Sequence, residues 1–269
     1  MAKIIAMMNQ KGGVGKTTSS VNLSACLAVA EKRTLLVDLD PQGNGSLSLG
    51  LSRDKFEAAN IYHAIIGETP LEECIYKTEL DYMDICPSDN NLSGAQIELV
   101  SVIARESRLK QAFESVQDKY DYIIIDCPPS LGLLTINALN AADTYIIPMQ
   151  TEYLSMDGLV QLMKTATMIK KSLNPRLELM GILLTMYDKR TSLHNQVVSE
   201  IKNHFGDKVF DAIIPKNVKL AECPSYGKPI ILYDIQSKGS EAYLALAKEI
   251  LLRERRNQTE DSQQTSLEL

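Results

Sequence analysis

The sequence of 269 residues contains no run that approaches the roughly 20 consecutive apolar residues of a membrane-spanning helix. It also has no N-terminal targeting segment: Met1-Ala2-Lys3 lead directly into a short apolar stretch, without a long apolar region or a cleavage site. We therefore expect no signal peptide and a cytoplasmic location.

Cysteine pairs at metal-binding spacing are also missing. The five cysteines form no C-x-x-C pair, and their number is odd. This pattern argues against a disulfide framework and against a zinc site. Cys127 is predicted to be a small packing residue.

The chain has no excess of positive charge, since its formal net charge is −6. This excludes a protein coated in basic residues, but it leaves room for a local basic patch. Residues 185–220 contain six basic and four acidic side chains, a net charge of +2, so the remainder carries −8. The charge asymmetry along the chain is therefore mild.

What the sequence does contain is an alternation of apolar strand patterns and helical patterns from end to end. Near-continuous apolar runs are typical of parallel strands that helices cover on both faces. They occur at Ile4–Met8, Thr34–Asp38, Tyr122–Asp126, Thr144–Met149, Leu179–Met186 and Val209–Ile214. Helical periodicity occurs at Thr17–Ala30, Leu92–Gln117, Met156–Ser172, Leu193–Phe205 and Ser240–Arg253.

This alternation predicts an α/β fold, a doubly wound and mostly parallel sheet with helices on both faces. We assign residues 1–256 to a single domain. Residues 52–92 are interpreted as an elaboration of that domain, with a possible short helix near Ile61–Ile66 and a possible strand at Tyr82–Cys86. Residues 257–269 are rich in Gln, Ser, Thr and Glu and are predicted to form a disordered polar tail.

The segment 11–18, Lys-Gly-Gly-Val-Gly-Lys-Thr-Thr, follows the first apolar run and opens a helix. This is the setting of a phosphate-binding loop, in which glycines let the backbone N–H groups turn toward phosphate oxygens and the helix N-terminus favours negative charge. Lys16 is expected to reach the β- and γ-phosphates, and the Thr17 hydroxyl to complete a Mg²⁺ shell. The usual pattern places its first glycine at Gln10, and this loop has an additional lysine, Lys11, instead.

Aspartates end two of the predicted strands, at the edge where open α/β sheets bind ligands. Asp38 ends the second run, Asp40 lies two residues beyond it, and Asp126 ends the third. A carboxylate at the end of a buried strand is costly unless something pairs with it. Hydrated Mg²⁺ is a suitable partner, because it needs few protein ligands.

These blocks resemble the ParA/MinD/Soj ATPases, which have a deviant Walker A loop of this form. The chromosomal Soj/ParA partition ATPases are the most similar group. The resemblance covers nearly the whole chain apart from the tail. It rests on four blocks in the family's order: residues 11–18, 37–44, 123–130, and 215–217 with 224–230.

The resemblance implies a P-loop NTPase that binds ATP and Mg²⁺ and is weakly active alone. It implies catalytic roles for Lys11, Lys16 and Asp40, with Asp40 activating the attacking water. The implied nucleotide-binding residues are Lys11, Gly12, Gly13, Val14, Gly15, Lys16, Thr17, Thr18, Pro215 and Asn217, and the implied metal ligands are Thr17, Asp38 and Asp126. Asn217 has a second interpretation, as the N-cap of the helix that follows it.

The resemblance also implies partners. Lys11 is expected to cross the interface of an ATP-sandwiched homodimer, and Gly12 to leave room for the approaching subunit. Double-stranded DNA is expected to bind without sequence preference at Arg190, Lys216 and Lys219, so the protein is expected to associate with the nucleoid. A ParB/Spo0J-like protein is expected to stimulate hydrolysis.

Three other interpretations remain open. A MinD-like ATPase that cycles on membranes is disfavoured, because residues 250–256 are followed by a polar, acidic end rather than by an amphipathic anchor. A carrier like the nitrogenase iron protein would need a second cluster cysteine besides Cys127. A dethiobiotin-synthetase-like biosynthetic enzyme shares this kind of loop, but the block at 215–230 favours a partition ATPase.

Overall fold

The computed structural model describes residues 1–152 and 155–267. Within these ranges seven strands form one sheet in the order β3-β4-β2-β5-β1-β6-β7. Every pairing is parallel except that of the two-residue edge strand β3 with β4. The strands are β1 Lys3–Met7, β2 Thr34–Asp38, β3 Tyr76–Lys77, β4 Met83–Cys86, β5 Tyr122–Asp126, β6 Thr144–Gln150 and β7 Glu178–Thr185.

Helices cover both faces of the sheet, as predicted. The helices are α1 Lys16–Val29, α2 Asn44–Ser48, α3 Ile61–Ile66, α4 Leu92–Glu98, α5 Arg108–Phe113, α6 Leu133–Ala141, α7 Ser155–Ser172, α8 Ser192–Phe205, α9 Val218–Glu222, α10 Ile230–Tyr233 and α11 Lys238–Leu267. None of them, over the residues described, is both long enough and apolar enough to cross a bilayer.

The side chains of the interior strand β1 point alternately to the two faces of the sheet, and the core is accordingly divided into two layers. Ile4 and Ala6 of β1 pack with α3–α8, whereas Ile5 and Met7 pack with α1, α10 and α11. Successive side chains of a strand point to opposite faces, so a central strand covered on both faces must be apolar throughout. This confirms the doubly wound, mostly parallel α/β fold.

The strand order places a crevice at the carboxyl end of β1. From β1 the chain passes over β5 to reach β2, and from β5 it passes back over β1 to reach β6. The connections that leave β1 and β5 therefore diverge at this edge, and such a switch point is where open α/β sheets bind ligands.

The predicted strand at Val209–Ile214 does not form. Val209 makes an isolated bridge to Ile182 and no continuous ladder follows. The backbone N–H groups of Asp211 and Ala212 donate instead to the Glu249 carboxylate of α11, at 3.1 and 3.0 Å. Because these donors are already used, the segment runs beside β7 as irregular chain.

The predicted helix over 92–117 is broken into α4, two 3₁₀ turns and α5. Ala104 adopts a left-handed conformation at φ 55° between the pieces. Side chains of α6 bind the backbone there: the Nδ2 atoms of Asn137 and Asn140 donate to the carbonyls of Arg105 and Glu106, at 2.9 and 2.8 Å. Tertiary hydrogen bonds thus replace the helical ones that the apolar period predicted.

Helix α11 continues through residues 257–267, the segment that we predicted as a disordered tail. This stretch contains neither glycine nor proline, so an established helix extends into it at little cost. Residues 268 and 269 lie outside the described part of the chain.

Candidate active site

The loop between β1 and α1 has the backbone conformation that its glycines permit. Gly13 and Gly15 have φ of 73° and 85°, and Gly15 is the N-cap of α1. Two side chains at the ends of neighbouring strands support it: Thr185 Oγ1 donates to the Val14 carbonyl at 2.8 Å, and Gln150 Nε2 to the Gly13 carbonyl at 3.0 Å. The loop is therefore held in place by the sheet edge, with the α1 N-terminus behind it.

Lys16, the first residue of α1, is buried, and its ammonium donates to the Lys11 carbonyl at 3.2 Å. Burial lowers the pKa of Lys16, while the charges of Asp126, Cys127 and Asp40 act in the opposite direction. A buried cation beside the carboxylates of Asp126 and Asp40 is suited to an anionic ligand. The ligand's negative charge would stabilise the charged form of Lys16 and offset the free energy lost when the ammonium is removed from water.

Asp126 is fully buried at the end of β5. Its Oδ1 accepts the Ser20 hydroxyl at 3.0 Å, and its Oδ2 has no hydrogen-bond partner. Burial, and then the nearby Asp38 charge, raise the pKa of Asp126, while the Thr17 and Ser20 hydroxyls lower it. A buried carboxylate oxygen without a partner, next to a threonine at the start of α1, fits a divalent cation.

Asp38 is also fully buried, but the protein itself uses both of its oxygens. Oδ2 accepts both the backbone N–H and the hydroxyl of Ser46 at 2.8 Å, and Oδ1 accepts the Asp40 N–H at 3.3 Å. Burial raises the pKa of Asp38 as well. Of the two strand-end aspartates, Asp126 therefore has the free oxygen that a cation needs.

Asp40 lies at the rim of a cavity of about 800 Å³ that the phosphate loop also lines. Its Oδ1 accepts the Gln42 N–H at 3.0 Å, and its carbonyl accepts the Gly43 N–H at 2.9 Å. The local turn thus orients the carboxylate. The cavity brings together the predicted phosphate-loop residues Gly12, Gly13, Gly15, Lys16, Thr17 and Thr18.

Pro215 and Asn217 line the far side of the same cavity. Asn217 is the N-cap of α9, since its Oδ1 accepts the N–H groups of Lys219 and Leu220 at 2.8 and 3.3 Å. The capping interpretation therefore holds. It leaves the Asn217 Nδ2 group as the part of the amide that could donate to a base.

Lys11 lies outside the cavity, half exposed. Its ammonium pairs with Glu152 Oε2 at 2.8 Å and lies 3.4 Å from Gln150 Oε1. The side chain of the extra lysine is thus at the surface, whereas its backbone carbonyl accepts the Lys16 ammonium.

The predicted DNA-binding residues come from two segments that the structure joins. Tyr187 N–H donates to the Ile214 carbonyl at 3.1 Å, and Lys216 N–H donates to the Tyr187 carbonyl at 3.0 Å. Arg190 is 84% exposed and pairs with Asp188 at 2.7 Å, while Lys219 pairs with Glu222 at 3.3 Å. Lys216 is exposed at the cavity rim.

Sequence reasoning missed four supporting residues, namely Ser20, Ser46, Gln150 and Thr185. Gln150 and Thr185 are polar residues at the ends of β6 and β7, the signal that identified Asp126 on β5. A search for polar residues at the carboxyl ends of the strands would have identified both. Ser20 and Ser46 have no such signal, because neither lies at a strand end; Ser20 binds Asp126, 106 residues away, and Ser46 binds Asp38 and the Ser88 backbone.

Comparisons with known proteins identify the family to which the chain belongs. A family model described as an AAA domain matches residues 2–179. The chromosome partitioning protein ParA of Myxococcus xanthus is 53% identical over 254 residues, which cover 94% of this chain and 89% of the relative. The chain belongs to the ParA/Soj family of partitioning proteins.

Two further relatives place this ParA/Soj member within its wider group. The sporulation initiation inhibitor protein Soj of Bacillus subtilis is 54% identical over 250 residues, covering 93% of this chain and 98% of the relative. A solved structure of cobyrinic acid a,c-diamide synthase from Mycobacterium smegmatis, with bound ADP and magnesium, has a TM-score of 0.82 and 35% identity. It covers 93% of this chain and 94% of its own.

Proposed function

We propose that this chain is an ATP-dependent partition ATPase that binds ATP with Mg²⁺, dimerises around the nucleotide and binds DNA without sequence preference. A ParB-like partner stimulates its hydrolysis. The observation that carries the proposal is the site at the β1 switch point. There the buried Lys16 and the partnerless oxygen of Asp126 lie beside a glycine-rich loop that opens on a cavity.

In this proposal the phosphates bind against the loop N–H groups and the α1 N-terminus, and Lys16 neutralises their charge. Asp126 and Thr17 would hold Mg²⁺, which, when bound, would neutralise charge on the β- and γ-phosphate oxygens. Asp40, oriented by the Gln42 N–H, accepts a proton from the attacking water. Pro215 and Asn217, which line the same cavity, contact the adenine in this proposal.

Two features of the loop support an ATP-bound dimer. Lys11 is half exposed, outside the subunit's own cavity, so its ammonium is available to a second nucleotide once it leaves Glu152. A Cβ placed on Gly12 would meet no atom of the chain within 4 Å, and Gly12 does not have positive φ. Nothing within one subunit therefore requires a glycine at this position, whereas a partner packed against it would.

The joined segments 186–191 and 214–219 support a DNA-binding surface beside the nucleotide cavity. Arg190 and Lys216 are exposed there. A few basic side chains that face phosphates give weak, salt-sensitive binding, and two such surfaces in a dimer bind more tightly than one. ATP would thus control DNA binding by controlling dimerisation.

The test is a gel-shift series with ATP, ADP or no nucleotide at several salt concentrations, comparing the wild type with Arg190→Glu. ATP should be required for tight binding, and binding should weaken steeply with salt. Arg190→Glu should lower DNA affinity similarly on unrelated sequences, without changing ATP turnover in the absence of DNA. Lys110→Glu, which reverses an exposed lysine on α5, serves as the matched control.

Binding that is insensitive to salt, or an Arg190→Glu protein that matches the wild type, would contradict this DNA-binding surface. Absence of DNA binding in every nucleotide state would favour the biosynthetic-enzyme alternative, because an enzyme acting on a small substrate needs no such surface.

A further inference from the structure

The segment of residues 40–46, here called loop 40–46, carries Asp40 and is fastened at its far end by Ser46. The Ser46 hydroxyl donates to Asp38 Oδ2 at 2.8 Å and accepts the backbone N–H of Ser88 at 3.1 Å. The Ser46 N–H also donates to Asp38 Oδ2. All three residues are fully buried. One serine thus joins loop 40–46 to the ends of β2 and β4.

The near end of loop 40–46 is held by the same carboxylate. Asp38 Oδ1 accepts the N–H of Asp40 at 3.3 Å. A single buried side chain therefore bonds to the backbone at residue 40 and at residue 46. Because Ser46 lies in the first turn of α2, the carboxylate also satisfies one of the helix's free N–H groups and interacts favourably with its dipole.

Two glycines show how closely this loop approaches the strand ends. A Cβ on Gly45 would lie 3.0 Å from Asp38 Oδ2. Gly43 has φ of 66°, and a Cβ there would lie 2.6 Å from the Ser88 carbonyl oxygen. The backbone is therefore locked against β2 and β4 by contacts that leave no room for a side chain.

From these contacts we propose that Asp38 and Ser46 are positioning residues for hydrolysis, which hold loop 40–46 so that Asp40 faces the nucleotide cavity, and that Asp38 is not a metal ligand. This differs from the role that the sequence resemblance implies for Asp38. The inference rests on the proposed ATPase activity.

The experiment compares Asp38→Asn, Ser46→Ala and the double variant with the wild type. Three quantities are measured: kcat and KM for basal ATP hydrolysis, and the Mg²⁺ concentration that half-saturates nucleotide binding in a calorimetric titration. Ser24→Ala is the matched control, because Ser24 is equally buried but its hydroxyl donates to the Ser20 carbonyl within α1. Melting temperatures show that each variant is folded.

We expect Asp38→Asn and Ser46→Ala each to lower kcat by about tenfold, since a misplaced catalytic group costs on this scale. KM and the Mg²⁺ requirement should change by less than about twofold, because ground-state binding is not involved. The double variant should be no slower than the slower single variant, because both changes break the same contact. Ser24→Ala should match the wild type.

A raised Mg²⁺ requirement in Asp38→Asn, with none in Ser46→Ala, would overturn the inference and identify Asp38 as a metal ligand. An unchanged kcat in Ser46→Ala would also overturn it. Should Ser46→Ala not fold, Gly45→Ala perturbs the same carboxylate oxygen from the other side and should lower kcat in the same way; an unchanged kcat there overturns the inference. A wild type that hydrolyses no ATP would refute the proposed function itself.

Discussion

At the residue scale, the surroundings of a strand-end aspartate decide its role. Asp38 and Asp126 are register partners on adjacent parallel strands, and both are fully buried. Ser46 and Asp40 use both oxygens of Asp38, whereas Asp126 keeps one oxygen without a partner. The same residue type, at the same sheet edge, thus forms an anchor in one place and a candidate metal ligand in the other.

Lys16→Ala should abolish nucleotide binding, because the phosphates lose the buried cation beside the loop. Lys11→Ala is the matched control: its ammonium pairs with Glu152 and Lys11 does not line the subunit's own cavity, so monomer affinity should stay within a few-fold of wild type. Calorimetric titration with ADP and Mg²⁺ measures both. Retained affinity in Lys16→Ala would refute the phosphate-loop assignment.

Asp126 should make the stability of the nucleotide-free protein depend on pH. Burial and the Asp38 charge raise its pKa above the unfolded value of about 4. The folded protein therefore holds a proton that the unfolded chain releases. This contribution to stability is complete below about pH 4 and is lost as the pH rises through the folded pKa.

The unfolding free energy of the wild type in EDTA should accordingly fall between about pH 4 and about pH 8, and the fall should be smaller in Asp126→Asn. Urea denaturation across this range measures both slopes. Equal slopes would mean that Asp126 does not carry this proton. Asp38 and Glu254, whose pKa values burial also raises, contribute to the fall that remains in the variant.

At the element scale, the conformation and position of short segments depend on contacts with neighbouring elements rather than on the periodicity of their own sequence. Helix α6 was not predicted, and seven of its nine residues are buried, so it shows no amphipathic pattern. Backbone contacts hold residues 224–230 against the rest of the domain. The Ile230 N–H donates to Asn22 Oδ1 of α1 at 2.7 Å, and Gly227 lies directly against Gly50.

Gly227→Ala should therefore destabilise the protein by about 2 to 4 kcal/mol, since the residue has positive φ and its Cβ would also crowd a packed backbone. Gly227 has φ of 64°, and its Cβ would lie 2.6 Å from Gly50 Cα. Gly158→Ala is the control: it lies within α7, where a Cβ meets no atom within 4 Å, and should stabilise by up to about 1 kcal/mol. Chemical denaturation compares the two. Equal effects would refute the close-approach argument.

At the scale of the whole molecule, the fold gathers the nucleotide cavity, the exposed Lys11 and the Arg190 surface around one edge of the sheet. The 186–191 and 214–219 segments meet because residues 209–215 run beside β7, with one bridge to Ile182 of β7 and another to Tyr187 just beyond its end. A dimer that forms through the loop would therefore bring two of the proposed DNA-binding surfaces together.

Asp40→Ala should bind ATP but hydrolyse it very slowly, so that the ATP-bound dimer persists in size-exclusion chromatography. Adding Gly12→Val to this variant should return it to a monomer that still binds ATP, because the new side chain meets no atom of its own subunit and would occupy space that the proposed dimer needs. Wild-type turnover in Asp40→Ala would remove Asp40 from the mechanism. A dimeric double variant would refute the role of Gly12.

The sequence alone predicted the fold class and the location of the phosphate loop, because the causes are local. A glycine-rich turn between an apolar strand and a helix is determined by neighbouring residues, and Gly13 and Gly15 adopt the positive φ that the turn requires. The fully buried strands read as continuous apolar runs for a similar reason. The family resemblance rests on these same local blocks.

Only the tertiary structure decided which polar groups are free. Ser46 binds Asp38, Glu249 accepts the N–H groups of 211 and 212, and side chains of α6 bind the backbone in the middle of the helix predicted over 92–117. Most of these contacts join residues distant along the chain or depend on the order of the strands. Periodicity and motif spacing describe what a segment can do, whereas long-range hydrogen bonds decide which of its donors and acceptors remain available for function.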